Sequence, residues 1–226
     1  MSKTVLVIPD LQIPFHHPYA LKFLKQVRDE YEPDVVVCVG DEWDNCALSR
    51  YPKDPDGMSP GDEYRKAKRA SAPFYEAFPK VLVCESNHRA RLYKRAYEAG
   101  IPLDMVRDTH GYMGAPRGWQ WKASWTVDGV VYEHGDRASG AATGTKLIDA
   151  NHASTVYGHH HDCPGIVYMK KANQTMFAMN VGCLVDENSY AMSYGKHNRS
   201  KPVLSCGVVV DGIPHVIPMI KGLRNR

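Results

Sequence analysis

The chain has 226 residues, 43% hydrophobic and 23% charged, which fits one globular domain around a sizeable core and excludes disorder and small disulfide-stapled scaffolds. Its 28 Lys and Arg against 25 Asp and Glu give +3, too mild to announce nucleic acid unless the basic residues cluster. No apolar stretch approaches the about 20 residues of a membrane helix, and no secretory leader precedes the first strand, so a cytoplasmic protein is expected.

In chain order, Thr4 to Ile8 reads as a buried strand ending at Pro9-Asp10. Tyr19 to Tyr31 reads as a helix with Leu21, Phe23, Leu24 and Val27 at helical spacing. A second strand, Asp34 to Val39, ends at Gly40-Asp41. Glu63 to Phe78 is helical, and a third strand, Val81 to Cys84, ends near Asn87-His88. Strands joined by helical crossovers imply a parallel sheet. Arg89 to Ala99 is a further helix, stopped by Gly100-Ile101-Pro102. The second half turns toward β: Trp119 to Val127 and Val130 to Glu133 flank an Asp128-Gly129 hairpin turn. Strands follow at Ser154 to Tyr157, Val167 to Lys170, Met176 to Val181, Leu204 to Val210 and His215 to Ile220. This supports a mixed or two-sheet core in a single domain over 1–226. Residues 45–75, rich in Pro, Asp, Gly and Lys, read as a possible cap insertion beside the site.

The six cysteines include no CxxC pair and read as reduced, mostly core thiols. Among the 11 His, the run His159-His160-His161 is unexpected, since composition alone yields such a run in roughly three chains per hundred. Ligands in open α/β sheets gather beyond the carboxyl ends of the strands. The residues standing there are Asp10 and Gln12, then Asp41 and Asp44, then Asn87 and His88, then His134, then His159 and His161. All are metal-ligand or proton-transfer types. One Asp or Asn after a strand is more often a turn former or a cap, but five strand ends in succession reverse that reading.

In this order and spacing the residues resemble the motifs of the calcineurin-like metallophosphoesterases: D-x-H, G-D-x-x-D, G-N-H-[DE], H and G-H-x-H. Here they stand as Asp10-Leu11-Gln12, Gly40-Asp41-Glu42-Trp43-Asp44, Ser86-Asn87-His88-Arg89, His134-Gly135 and Gly158-His159-His160-His161. Ile8 to Pro14 also looks like the short phage and bacterial members, for which the compartment would be the host cytoplasm. The resemblance implies an α/β fold, a two-sheet β sandwich with mixed sheets flanked by helices (α/β/β/α). It implies one metal held by Asp10, Gln12, Asp41 and His161, and a second held by Asp41, Asn87, His134 and His159. Two such dications lower the pKa of a bridging water and neutralise charge on the phosphorus-bound oxygens during in-line displacement. Nitrogen and oxygen donors without thiolate suit Mn first, then Fe, Zn or Ni. By the same resemblance His88 protonates the leaving oxygen and Asp44 orients it. Gly135 and Ser139-Gly140 are weaker candidates for presenting backbone N–H groups to phosphate.

Three positions depart from the pattern. Gln12 replaces a histidine, which weakens the first metal site. Ser86 replaces a glycine, and Arg89 replaces an acidic residue. Arg89 either depresses the pKa of His88 or binds substrate phosphate. The other histidines, His16, His17, His110, His152, His197 and His215, fit no motif and read as surface or satisfied buried residues, His16 and His17 being close enough to Gln12 to line the site. His160 is expected to point away from the ligands, and Trp43 to pack in the core. Basic residues gather in 65–69, 89–95, 196–201 and at the C-terminus. With the resemblance they favour a phosphodiesterase or nuclease acting on DNA or a nucleotide. A phosphomonoesterase and a metal-deficient binding module of the same fold are the alternatives, and oligomeric state is left open.

Overall fold

The computed structural model describes residues 2–52, 54–189 and 201–220. Its first sheet has six strands: β1 (Val5–Ile8), β2 (Val35–Cys38), β3 (Val81–Cys84), β4 (Trp119–Lys122), β10 (Ser205–Val210) and β11 (Ile213–Pro218), in the order β11-β10-β1-β2-β3-β4. Strands β1 to β4 are mutually parallel, while β10 and β11 add antiparallel pairs at one side. The second sheet is β5 (Ser124–Val127), β6 (Val130–Glu133), β7 (Thr155–Tyr157), β9 (Gln174–Asn180) and β8 (Gly165–Lys171) in that spatial order, again mixed.

Strands β1, β2 and β3 are aliphatic on both faces because both faces are covered. Inward residues Val5, Val7, Val37, Val39 and Cys84 meet Tyr132, Val156, Phe177 and Met179 of the second sheet in one buried cluster. On the other face, Leu6, Ile8 and Val83 pack under α1 (Ala20–Tyr31), α2 (Pro60–Ala77) and α4 (Thr109–Met113). Helix α5 (Thr143–Asn151) covers the second sheet with Leu147 and Ile148 against Tyr157, Met176 and Ala178. The result is the expected layered α/β sandwich with mixed sheets.

Local chemistry explains most element limits. Helix α1 buries Ala20, Phe23, Leu24 and Val27 at 3-, 4- and 7-residue spacing, and ends where Glu32 turns left-handed. Helix α2 starts on the Ser59 cap, whose hydroxyl accepts from Asp62 N, with Pro60 in the first turn. Asp128 and Gly129 both have positive φ, the requirement of the two-residue turn joining β5 to β6.

Two expectations need correction. The run Trp119 to Val127 is not one strand: it divides at Ala123, giving β4 to the first sheet and β5 to the second. An unbroken β-favouring run carries no mark of a change of sheet. Nor is 45–75 a cap throughout, because Ala67 and Phe74 of α2 belong to the main core, so from residue 60 the segment is a layer of the fold. Helix α5 escapes sequence reading because only Leu147 and Ile148 supply its large apolar contacts, too few for a helical period.

Candidate metal centre

The polar residues converge where β1, β2 and β3 of one sheet and β6 and β7 of the other end side by side. Gln12 N donates to Asp41 O (2.7 Å) and Gly158 N to His134 O (3.0 Å), which ties the post-strand loops together within each sheet. Between sheets, His159 N donates to Asp10 Oδ2 at 3.0 Å. Gln12, Asp41 and His159 all hold left-handed backbone, with φ of 48°, 46° and 65°. Such conformations cost about 1 kcal/mol or more each for residues with a Cβ, and three beside one another mark a site over-determined by its surroundings. Gly158 is required by close approach: a Cβ there would overlap Asp10 Oδ1 and lie 2.8 Å from Val39 Cγ2.

Two groups of donors result. In the first, His134 Nε2 lies 2.7 Å from Asn87 Oδ1, 3.2 Å from His159 Nδ1 and 3.3 Å from Asp41 Oδ2. His134 Nδ1 lies 2.9 Å from the Val39 carbonyl, to which it must donate, and this fixes the ring and aims Nε2 inward. Donor atoms of Asp41, His134 and His159 lie within 4.8 Å of one another, close enough to share one cation. In the second group, His161 Nε2 is 3.0 Å from Asp10 Oδ2 and 3.5 Å from Gln12 Nε2. Asp10 is fully buried and its Oδ1 has no hydrogen-bond partner among the described residues. A buried carboxylate oxygen left unpaired is costly, and a cation would satisfy it. Asp10, Gln12, Asp41, Asn87, His134, His159 and His161 thus stand in two adjoining groups linked through Asp10 and His159; the donors of Asp41, His134 and His159 fit a divalent cation, while Gln12 faces His161 through its amide nitrogen and would have to turn its amide to offer an oxygen.

Titration follows from this packing. Burial alone would depress the pKa of His134, but the Asp41 carboxylate, with Asp10 and Asp136, raises it to about 10. Burial likewise works against the charged form of Asp41, yet His134 and His88 hold its pKa well below the ordinary carboxylate range. His159 is shifted down by burial and by His134. A proton held on His134 Nε2 would have to leave before that nitrogen could ligate a cation.

His88 follows β3 and stands 3.6 Å from Asp41 Oδ2 through Nε2, and 3.5 Å from Asp44 Oδ1 through Nδ1, long for a hydrogen bond. Burial lowers its pKa and Arg91 adds to that, but Asp41 and Asp44 raise it by more; the net direction is upward. Arg91 Nη2 lies 2.8 Å from His88 Nε2, and Nη1 donates to Asp44 Oδ1 (3.0 Å) and to the Asp44 carbonyl (2.8 Å). A guanidinium only donates, so Nε2 must accept. This geometry is that of the neutral ring, and charging it requires Arg91 to turn away.

Arg89, the cation expected at the site, is directed elsewhere. It pairs with Glu85 (3.1 Å), donates to Thr109 Oγ1 and lies over the rings of Tyr93 and Trp121. Helix α3 (Ala90–Glu98) begins next to it, and position 91 sits three residues past His88, on the same helical face, whereas 89 does not. The i, i+3 spacing from His88 to Arg91 is the signal that sequence reading missed. His160 reaches the Ala138 carbonyl (3.1 Å), away from the donor groups, although the local chain is not extended. Trp43 is buried and donates to Ser71 Oγ (2.6 Å). His16 packs edge-on against Phe74, and burial, aided by His17 and Lys66, lowers its pKa to about 4. Residues 196–200 and 221–226, most of two expected basic clusters, lie outside the described residues.

The fold and site define a layered α/β protein carrying a convergent set of metal-type donors at the carboxyl edge of both sheets. No protein-family model matches the chain, and no curated protein matches its sequence. Among solved structures it is similar to the phosphoesterase YfcE from E. coli (14% identity, TM-score 0.45, covering 92% of this chain and 88% of that one). Vps29 of Chaetomium thermophilum (13%, 0.45, 97% and 92%) and the nuclease MPE of Pseudomonas putida (11%, 0.39, 95% and 86%) are similar at the same level.

Proposed function

We propose that the chain is a divalent-metal-dependent phosphoesterase of calcineurin-like type. The observation that carries this is the meeting of Asn87 Oδ1, His159 Nδ1 and Asp41 Oδ2 within 3.3 Å of His134 Nε2, inside a buried site. Asp10, Gln12, Asp41 and His161 would hold one cation, and Asp41, Asn87, His134 and His159 the other, with Asp41 shared. Bound there, two dications, Mn²⁺ by preference for this oxygen-rich set, would supply Lewis-acid charge and an activated water. Val39 keeps the His134 ring in register through its carbonyl. Gly158 gives Asp10 the room to approach. His88, within 3.6 Å of Asp41 and beside Asp44, would carry the proton for the departing ester oxygen once Arg91 turns off its Nε2 and that nitrogen is protonated.

The substrate we favour is a phosphodiester, DNA or a nucleotide. Helix α2 supports this reading: Lys66, Lys68 and Arg69 are exposed on it, while its buried Glu63 and Ser71 hold the segment on either side of Asp44, Glu63 accepting from Cys46 N and Ala47 N and Ser71 from Trp43. Turnover of aryl phosphate diester and monoester, and of single-stranded and duplex DNA, in Mn²⁺ tests it. Diester and DNA cleavage is expected. Cleavage of the monoester alone would remove the nuclease reading and leave a phosphomonoesterase; absence of Mn²⁺ binding would remove the enzyme reading and leave a binding module.

A further inference from the structure

We propose that Arg91 is the substrate-phosphate ligand of this centre, a role resting on the phosphoesterase reading above. Its Nη2 lies 2.8 Å from His88 Nε2, the nitrogen that faces Asp41. An ester oxygen that is to hydrogen-bond with that same nitrogen must come into the space the guanidinium now occupies. The phosphate therefore either expels Arg91 from the site or is bound by it, and charge decides between these outcomes. A phosphate ester brings anionic oxygens, while Arg91 is held by one carboxylate, Asp44, and two uncharged acceptors, the Asp44 carbonyl and the His88 ring. Exchanging the His88 contact for an anionic oxygen strengthens the guanidinium's hydrogen bonds.

The geometry lets this happen with little rearrangement. Nη1 stays anchored on Asp44, Nη2 carries a second hydrogen, and the guanidinium turns about that anchor from His88 toward the phosphate. Its side chain is 18% exposed, so it is reachable from solvent, and His88 beside it is 12% exposed. Arg89 is unsuited to the task because Glu85 and Thr109 already hold it, with Trp121 and Tyr93 beneath. Position 91 thus carries the charge that position 89 was expected to bring.

The test uses the full chain loaded with Mn²⁺ and inorganic phosphate as probe, with binding followed by calorimetry in wild type, Arg91→Gln and Arg91→Lys. Loss of one charge-assisted contact should weaken phosphate binding about 10- to 100-fold in Arg91→Gln. Arg91→Lys, which keeps a cation but not the fork, should fall between that variant and wild type. Mn²⁺ affinity should hold, because the hydrogen bonds of Arg91 go to His88 and Asp44 and not to the proposed ligands. In turnover, KM for an aryl diester should rise in the same order as the phosphate dissociation constant. Phosphate affinity within twofold of wild type in Arg91→Gln, or in Arg91→Lys should the Gln variant not fold, overturns the proposal and leaves Arg91 as a brace between His88 and Asp44. Failure of the wild type to bind Mn²⁺ or to turn over any ester strikes the phosphoesterase reading itself, a separate result.

Discussion

Asp41→Asn removes one negative charge from a fully buried position while keeping nearly the same shape. In the metal-free chain Asp41 Oδ2 faces His134 at 3.3 Å and Oδ1 accepts from His88 N at 3.2 Å. Breaking such a buried pair typically costs about 3–5 kcal/mol, part of which is recovered when His134 gives up its proton. The larger contrast lies in the response to cation. Mn²⁺ at about 100 times its dissociation constant stabilises the native state by about 2.7 kcal/mol per site. For a chain of this size each kcal/mol moves the melting temperature by roughly 2–4 °C, so the wild type should gain about 5–11 °C for each site filled. Asp41→Asn loses the carboxylate proposed to serve both groups and should gain almost nothing. Thermal melts by circular dichroism with and without Mn²⁺ read this directly. An equal Mn²⁺ shift in both proteins would falsify the assignment of Asp41 as a ligand, because the variant keeps every other donor.

Three further outcomes are expected. His88→Ala should retain the Mn²⁺-induced thermal shift yet slow ester turnover by about 10²–10⁴ at neutral pH; loss of the shift itself would place His88 among the ligands instead. Gly158→Ala puts a methyl group onto Asp10 Oδ1 and 2.8 Å from Val39 Cγ2, so overpacking of about 1–3 kcal/mol and weaker Mn²⁺ binding should appear together, and a variant with unchanged metal affinity would show that Asp10 is not needed in its present place. His16, held neutral by burial with help from His17 and Lys66, has a folded pKa of about 4 against about 6.5 for a free imidazole. Its contribution is complete above about pH 6.5 and is lost as pH falls toward 4, by at most about 3 kcal/mol. Urea melts of His16→Phe across pH 4–7 should show a correspondingly flatter dependence, and an unchanged slope would mean that other groups set it.

The sequence alone determined the features that repeat locally. Short aliphatic runs ending in Asp, Asn or His specified β1, β2, β3, β6 and β7, and their polar termini specified the candidate donors, because strand period and turn chemistry are short-range properties. Helix α1 was legible for the same reason, its apolar residues recurring within two turns. What only tertiary structure decided was which segments meet. The division of 119–127 between two sheets depends on partners over the whole chain, as does the place of α2 in the core. At the site, the adjacency of Asp10 to His159 and His161, about 150 positions further along, is fixed by the packing of two sheets. The exchange of Arg89 for Arg91 has the same origin. Both guanidiniums lie beside His88 in sequence, and the direction of the first turn of α3, together with the partners waiting at Glu85, Thr109 and Asp44, decides which one reaches it.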